Sequence, residues 1–299
     1  MRLLLHGKKF SKESEVYILN FISQAKKESV QLLYTDEFFE ILQKIIKKDN
    51  NNELKTISSI DNSTKKDIDY LVCFGGDGTI LNAATVVKNH EIPIIGINMG
   101  RLGFLATISK HQLSSLIHSL RKKEHHLSQR TLIHMNATET LFNFPFALNE
   151  ISVSSKESSS MINLRVFLNN EYLNTYWADG LIISTPTGST GYSLSCGGPI
   201  VMPQSNNFII TPIAPHNLNV RPLIVSDKNI IRIEIVDNTS NKFLLSMDSR
   251  NQYIKNSESI TIKKADYNIQ LLELESTNYS KTLREKLLWG LDNRNYDSK

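Results

Sequence analysis

Residues 73–81, CFGGDGTIL, set one acid, Asp77, among three glycines and between apolar flanks. The flanks read as a buried strand turning into a helix, and a carboxylate at that turn has two readings. Asp is a common helix N-cap. It is also a group that can take the proton of a hydroxyl about to receive a phosphoryl group. Glycine allows positive φ and close approach of the backbone to a ligand, and a helix N-terminus offers unpaired N–H groups to an anion. A bare phosphate would be repelled by Asp77, so the acid needs a metal, a hydroxyl or an amide as partner. Spacing alone leaves cap and chemistry both open. The segment is not GxGxxG, because the match stops at Leu81, and no GxxxxGK[ST] occurs in the chain.

A second stretch, ADGLIISTPTGSTGYSLSCGGPI at 178–200, interleaves Thr185, Thr187, Ser189, Thr190, Ser193 and Ser195 with Gly188, Gly191, Gly197 and Gly198. Hydroxyls and flexible amides make an uncharged lining for phosphates, sugars or base edges. The plain alternative is a polar loop of a β domain, against which stand the apolar run before it and Tyr192 inside it. Neither stretch contains Lys or Arg, so bound phosphates would be neutralised by backbone amides and a divalent cation.

Other candidates read more plainly. His125-His126 lacks a third ligand at metal spacing and reads as a solvated pair. His216, between Pro215 and Asn217, fits a turn or a site. Cys196 has no evident His partner for nucleophilic catalysis, and Cys73 reads as a buried strand residue. Lys44, Lys47, Lys48 and Arg121–Lys123 read as solvated helix faces.

The elements that must position these residues change character along the chain. Up to about residue 120, strand and helix signals alternate: MRLLLH, a helix with Val16, Leu19, Ile22 and Ala25 on one side, VQLLYT, a helix opening at Asp36, a polar stretch at 49–67 with at most one short strand, then DYLVCFGG, DGTILNAATVVKNH and IPIIGINMG. That alternation predicts an open, parallel α/β sheet. From 121 to 276 the period is two, with a hairpin at Asn169-Asn170, which predicts an antiparallel β-rich domain. Residues 277–299 return to helical spacing, with Leu283, Leu287, Leu288 and Leu291 on one side, and this helix must dock, here on the N-terminal domain. The fold expected is therefore an α/β open-sheet domain over 1–120, a β-rich ligand-binding domain over 121–276 and a C-terminal helix over 277–299.

The chain has 299 residues, of which 40% are hydrophobic, enough for two ordinary cores. A formal net charge of +4, with acids and bases intermixed, is weak support for nucleic acid, and none is expected as a partner. No apolar run approaches the roughly 18 residues of a membrane span, and the leading three-Leu run is too short for a signal peptide. Two distant cysteines point to a reducing, cytoplasmic location.

Taken together, GGDGTIL at 75–81, Leu148-Asn149-Glu150, the long run at 179–200, GINMGRLGFL at 96–105 and PIAPHNLNVRP at 212–222 resemble the motifs of the NAD kinase family, in family order. GGDGT alone is shared with lipid kinases and phosphofructokinases; the long run is what separates NAD kinases from these. A non-catalytic dinucleotide sensor would lack the carboxylate at 77. The resemblance implies transfer of the γ-phosphoryl group of ATP, with Mg²⁺ and in some members with polyphosphate as donor, to the 2′-hydroxyl of the adenosine ribose of NAD. It implies Asp77 as proton acceptor beside Gly78, NAD contacts from Asn149, Glu150 and Asp179, a binding loop of Thr190, Gly191, Tyr192, Ser193, Leu194 and Ser195, and a further contact at Ala214. No protein metal ligand is implied, and a homodimer or homotetramer is. The chain departs from the family pattern at Asn82, Ser160, Trp177 and Arg250, which bears on phosphate-side contacts, and at Gly191, where Ala is frequent.

Overall fold

The structure is a computed structural model that describes residues 1–8, 10–45, 55–61, 63–100, 102–137, 139–155, 161–236, 242–255, 259–275 and 277–289. Lys47, Lys48, Ser160 and Leu291 lie outside the described residues. The chain forms two compact units, residues 1–129 with 269–299 and residues 130–268.

The first unit contains β1 (Arg2–Gly7), α1 (Lys12–Lys27), β2 (Gln31–Thr35), α2 (Asp36–Ile45), β3 (Thr56–Ile57), β4 (Tyr70–Gly75), α3 (Asp77–Val87), β5 (Ile94–Asn98), β6 (Ile108–Ser109) and α4 (Leu113–Lys122). Its strands lie in the order β5-β4-β1-β2-β3, all parallel. Strands β1, β4 and β5 are apolar and buried on both faces, as a sheet sandwiched between helices requires. The strand order reverses between β1 and β4, and in such a sheet ligands bind beyond the carboxyl ends of the strands at the reversal. Gly75, the last residue of β4, leads directly into α3 there. Helix α1 buries Ile18, Phe21, Ile22 and Ala25. Val16, expected on the apolar side, is 58% exposed: the buried stripe runs one turn-phase later, through Ile18 and Phe21.

The chain leaves the first unit within β7 (His125–Ala137). The second unit holds β8 (Phe146–Ala147), β9 (Glu150–Ser155), β10 (Ile162–Leu168), β11 (Glu171–Ala178), β12 (Gly180–Ser184), the single-turn α5 (Tyr192–Ser195), β13 (Asn207–Ile213), β14 (Leu223–Ser226), β15 (Ile231–Ile235), β16 (Phe243–Met247) and β17 (Arg250–Ile254). The chain returns along β18 (Ser259–Leu274) and ends in α6 (Tyr279–Leu287). Six of these strands form an antiparallel sheet in the order β14-β13-β12-β9-β16-β17. β11, β10, β15 and the first part of β18 form a second antiparallel run. Alternate residues from the two, Ile151, Val153, Leu181 and Ile183 against Leu164, Val166, Ile233 and Ile260, share one core. This is the sandwich that period-two patterning builds. Asn169 and Asn170 both adopt positive φ, 51° and 71°, as the tight β10–β11 turn requires.

Helix α6 belongs to the first unit, burying Leu283 and setting the Lys286 ammonium 5.8 Å from the Phe104 ring centre. It stops at Leu287: Leu288 turns left-handed at φ 58° and is 64% exposed, so the apolar stripe is shorter than the spacing suggests.

Candidate functional site

Asp77 is the first residue of α3, and Gly76 is the N-cap, with no side-chain cap bond. The capping reading is therefore corrected. The Asp77 carboxylate turns instead to residues 103–106, accepting N–H groups of Phe104 at Oδ2 (2.8 Å) and of Leu105 and Ala106 at Oδ1 (3.0 and 3.1 Å). A carboxylate has about four acceptor positions, so three main-chain donors fix its plane and leave room for one more. Gly103 makes this possible, because a Cβ there would sit 1.9 Å from Asp77 Oδ1.

The glycines before and after Asp77 differ in purpose. Gly75 is glycine because a Cβ would meet Thr79 Oγ1 at 2.1 Å, which is packing inside the turn. Gly76 and Gly78 face open space, and both are exposed. None of the three has positive φ, so the expected left-handed turn does not occur; bareness of the main chain, and not φ, is what these positions supply. Asn82 lies one turn along α3, with its side chain beside the buried His6 ring.

In the second unit the Asn149-Glu150 pair opens β9 and meets the 185–195 loop. The Thr185 N–H donates to the Asn149 carbonyl (2.9 Å), and the Thr185 hydroxyl donates to the Leu148 carbonyl (2.6 Å). Gly188 packs flat on this strand end, where a Cβ would strike the Asn149 carbonyl at 2.2 Å. The Tyr192 N–H reaches the Glu150 carboxylate. Three buried polar atoms are left without a partner here: Asn149 Oδ1, Glu150 Oε2 and Thr187 Oγ1. An unpaired buried polar group costs about 1–3 kcal/mol, and a polar ligand that paired these three atoms would recover that cost. Burial, and then the Asp248 carboxylate, push Glu150 up to about 8 against a favourable Tyr192 amide. Gly191 does more than loosen a turn: a Cβ there would come within 2.9 Å of Glu150 Oε2.

The other expected residues divide into two groups. Asp179 joins β11 to β12, its N–H donating to Ile213 and its carbonyl accepting from Ser155. Burial first, and then Cys196, Asp179 and Glu150, raise the Tyr192 phenol above its ordinary value, which sets Tyr192 beside both acids. Tyr192 and Ser195 are exposed, and Leu194, Thr190 and Gly191 are half-buried. Ala214 is exposed at φ 43°, immediately after Ile213. Ser193 points the other way: it is fully buried and bonded to the Thr211 hydroxyl at 2.8 Å, so it holds the loop to β13.

The minor candidates resolve simply. His126 is exposed and bonded to Glu273 at 3.1 Å, and half-buried His125 packs edge-on against Tyr70. The His216 N–H donates to the Trp177 carbonyl at 2.8 Å, while the Trp177 ring is half exposed. Burial raises both thiols, the opposite of an activated nucleophile. Arg250 donates to the carbonyls of Phe144 and Phe146, so the departure at this position is occupied with main chain and not with a phosphate. Among the described residues no three His, Cys, Asp or Glu converge as a metal site, and no helix is long and apolar enough to cross a membrane.

Sequence reasoning counted Thr187 only as one hydroxyl of the loop among six, and it missed Asp248 altogether. Asp248 accepts the N–H groups of Leu148, Asn149 and Glu150 at 2.9, 2.8 and 3.2 Å. Its signal, an acid in a polar break between two alternating runs, is that of any hairpin turn.

The chain matches the family model of the ATP-NAD kinase N-terminal domain over residues 6–125 and that of the ATP-NAD kinase C-terminal domain over residues 148–274. It is 45% identical over 299 residues to an NAD kinase of Cytophaga hutchinsonii, covering 99% of this chain and all of the relative. To an NAD kinase of Bacteroides fragilis it is 38% identical over 295 residues, covering 98% of this chain and all of the relative. Among solved structures, a yeast NADH kinase complexed with NADH superimposes with TM-score 0.83 at 23% identity, covering 98% of this chain and 88% of that one. An NAD kinase from Archaeoglobus fulgidus in complex with ATP superimposes with TM-score 0.71 at 24% identity, covering 97% and 98%. At these identities the two structures speak for the fold.

Proposed function

The chain belongs to the NAD kinase family and is a kinase acting on NAD with ATP, and from that premise we propose how its residues divide the work. Asn149, Glu150 and Thr187 form the polar floor that receives the dinucleotide, and the observation that carries this reading is their three buried, unpartnered atoms. Asp179 and Tyr192 flank that floor, the loop from Thr190 to Ser195 forms its rim, and Ala214 offers exposed main chain beside Asp179.

Asp77 is the proton acceptor. Its carboxylate is oriented by three amides and keeps one acceptor position for the 2′-hydroxyl of the adenosine ribose. As the hydroxyl oxygen bonds to the γ-phosphorus of ATP, the bond to the β-phosphate oxygen breaks, ADP leaves, and the hydroxyl proton passes to Asp77. The transition state of such a transfer is loose, so positioning and electrostatics matter more than basicity. Exposed Gly76 and Gly78 let the substrate reach this acid without a side chain in the way.

Among the described residues no cluster of three His, Cys, Asp or Glu offers a cage, so a Mg²⁺ would be held by ATP phosphates and water, as that cation commonly is. The ion would neutralise phosphate charge; the side chains do the orienting and proton handling described. The free thiols fit a reducing, cytoplasmic compartment. A homo-oligomer with polyphosphate as a second donor completes the reading, to be checked by light scattering and by donor substitution.

The test is a coupled assay. Purified protein with ATP, Mg²⁺ and NAD should form NADP, read with an NADP-specific dehydrogenase, and Asn149→Ala should raise KM for NAD about tenfold. An Asn149→Ala enzyme with wild-type KM for NAD would remove the floor assigned to it.

A further inference from the structure

The segment before Asn149-Glu150 has little regular structure of its own, only the two-residue β8, yet its last residues must be held still to present the floor. Besides the Thr185 bonds to Leu148 and Asn149 and the pairing of β8 with β7, its main chain is held from the two-residue turn between β16 and β17. On one side of the turn the Asp248 carboxylate accepts the N–H groups of Leu148, Asn149 and Glu150, while the Asp248 N–H donates to the Glu150 carbonyl at 3.0 Å. On the other side the Arg250 guanidinium donates to the carbonyls of Phe144 and Phe146. The arginine is itself held between rings, 5.7 Å from the centre of Phe142 and 5.4 Å from that of Phe144. Asp248 adopts φ 51°, the left-handed conformation a tight turn needs, and β16 is paired with β9 through Met247 and Ile151. The clamp is thus anchored in the sheet and closes on the residues that bear the unpartnered atoms.

We propose that Asp248 and Arg250 are positioning residues of the NAD floor: without touching substrate they fix the main chain of residues 144–150 and so set the placement of Asn149 and Glu150. The inference rests on the floor assigned above. It also gives Arg250 a task at a position where the chain departs from the family pattern, since a guanidinium forks to two carbonyls at once. A displacement of about 1 Å at such a site can cost up to about 10²-fold.

The experiment compares Arg250→Gln, Arg250→Lys, Asn149→Ala and the Arg250→Gln/Asn149→Ala double variant in the full-length enzyme, with KM for NAD, KM for ATP and kcat measured separately. Arg250→Gln should raise KM for NAD by about tenfold to 10²-fold with KM for ATP within about twofold. Arg250→Lys, which keeps the charge but only one donor nitrogen, should fall between it and wild type. The double variant should be worse for NAD than Asn149→Ala alone by less than the Arg250→Gln factor, because part of the arginine's effect runs through that residue. Unchanged KM for NAD in Arg250→Gln, equal rises for NAD and ATP, or full additivity in the double variant each overturns the inference. If Arg250→Gln does not fold, wild-type KM for NAD in Arg250→Lys overturns it. An Asn149→Ala enzyme with normal KM for NAD would instead overturn the floor itself, whatever Arg250 does.

Discussion

Glu150 offers a perturbation whose size can be worked from its surroundings. Its carboxyl is pushed from an ordinary 4.5 up to about 8, first by burial and then by the Asp248 charge. The folded state therefore holds a proton that the unfolded chain has released. Stability from this group is complete below about pH 4.5 and is lost as pH rises towards 8. Between pH 6 and pH 8 the linkage amounts to about 2 kcal/mol, and to about 1 kcal/mol once solvent reaching the half-buried carboxyl is allowed for. Glu150→Gln keeps the shape and removes the titration. Urea unfolding of the second unit can be followed through Trp177 in a Trp289→Phe background, since these are the two tryptophans of the chain. The wild type should lose about 1–2 kcal/mol more than Glu150→Gln over that pH range. Parallel pH profiles would refute the reasoning, because no proton would then be held at this position.

Two further variants test neighbouring assignments. Gly191→Ala sets a Cβ within 2.9 Å of Glu150 Oε2, so the carboxylate must swing aside; KM for NAD should rise by about threefold to tenfold with little change in thermal midpoint, and an unchanged KM would detach Gly191 from the floor. Ser193→Ala leaves the buried Thr211 hydroxyl without its partner; it should cost about 1–2 kcal/mol in urea unfolding while KM for NAD stays within about twofold, and a large KM effect would return Ser193 to the ligand face.

Much of this architecture could be read from period and punctuation. Continuous apolar runs gave away the strands buried on both faces, and alternation with Asn169-Asn170 gave away the β10–β11 hairpin. Asp77 and Gly191 stood out as candidates because closely spaced glycines leave bare main chain that a ligand or a neighbouring side chain can approach. What could not be read were contacts across long sequence separations. Asp77 looked like a cap because its bonds to Phe104–Ala106 span some 27 to 29 residues, and Asp248 looked like a turn because its partners lie about 100 residues earlier. Ser193 and Ser195 share one short helix and one composition, and only the side each faces separates an anchor from a rim.

The central claim is that Asp77 receives the hydroxyl proton and does not merely hold residues 103–106 in place. Asp77→Asn separates the two. The amide keeps one carbonyl oxygen for Leu105 and Ala106 and turns an NH₂ towards Phe104, so about 1–3 kcal/mol of stability should be lost through that one bond. If Asp77 is the acceptor, single-turnover formation of NADP from enzyme-bound NAD and ATP should slow by about 10²–10⁴-fold while the Kd for NAD changes little. A single-turnover rate within about threefold of wild type, accompanied by the loss of stability, would show a structural clamp and contradict the account.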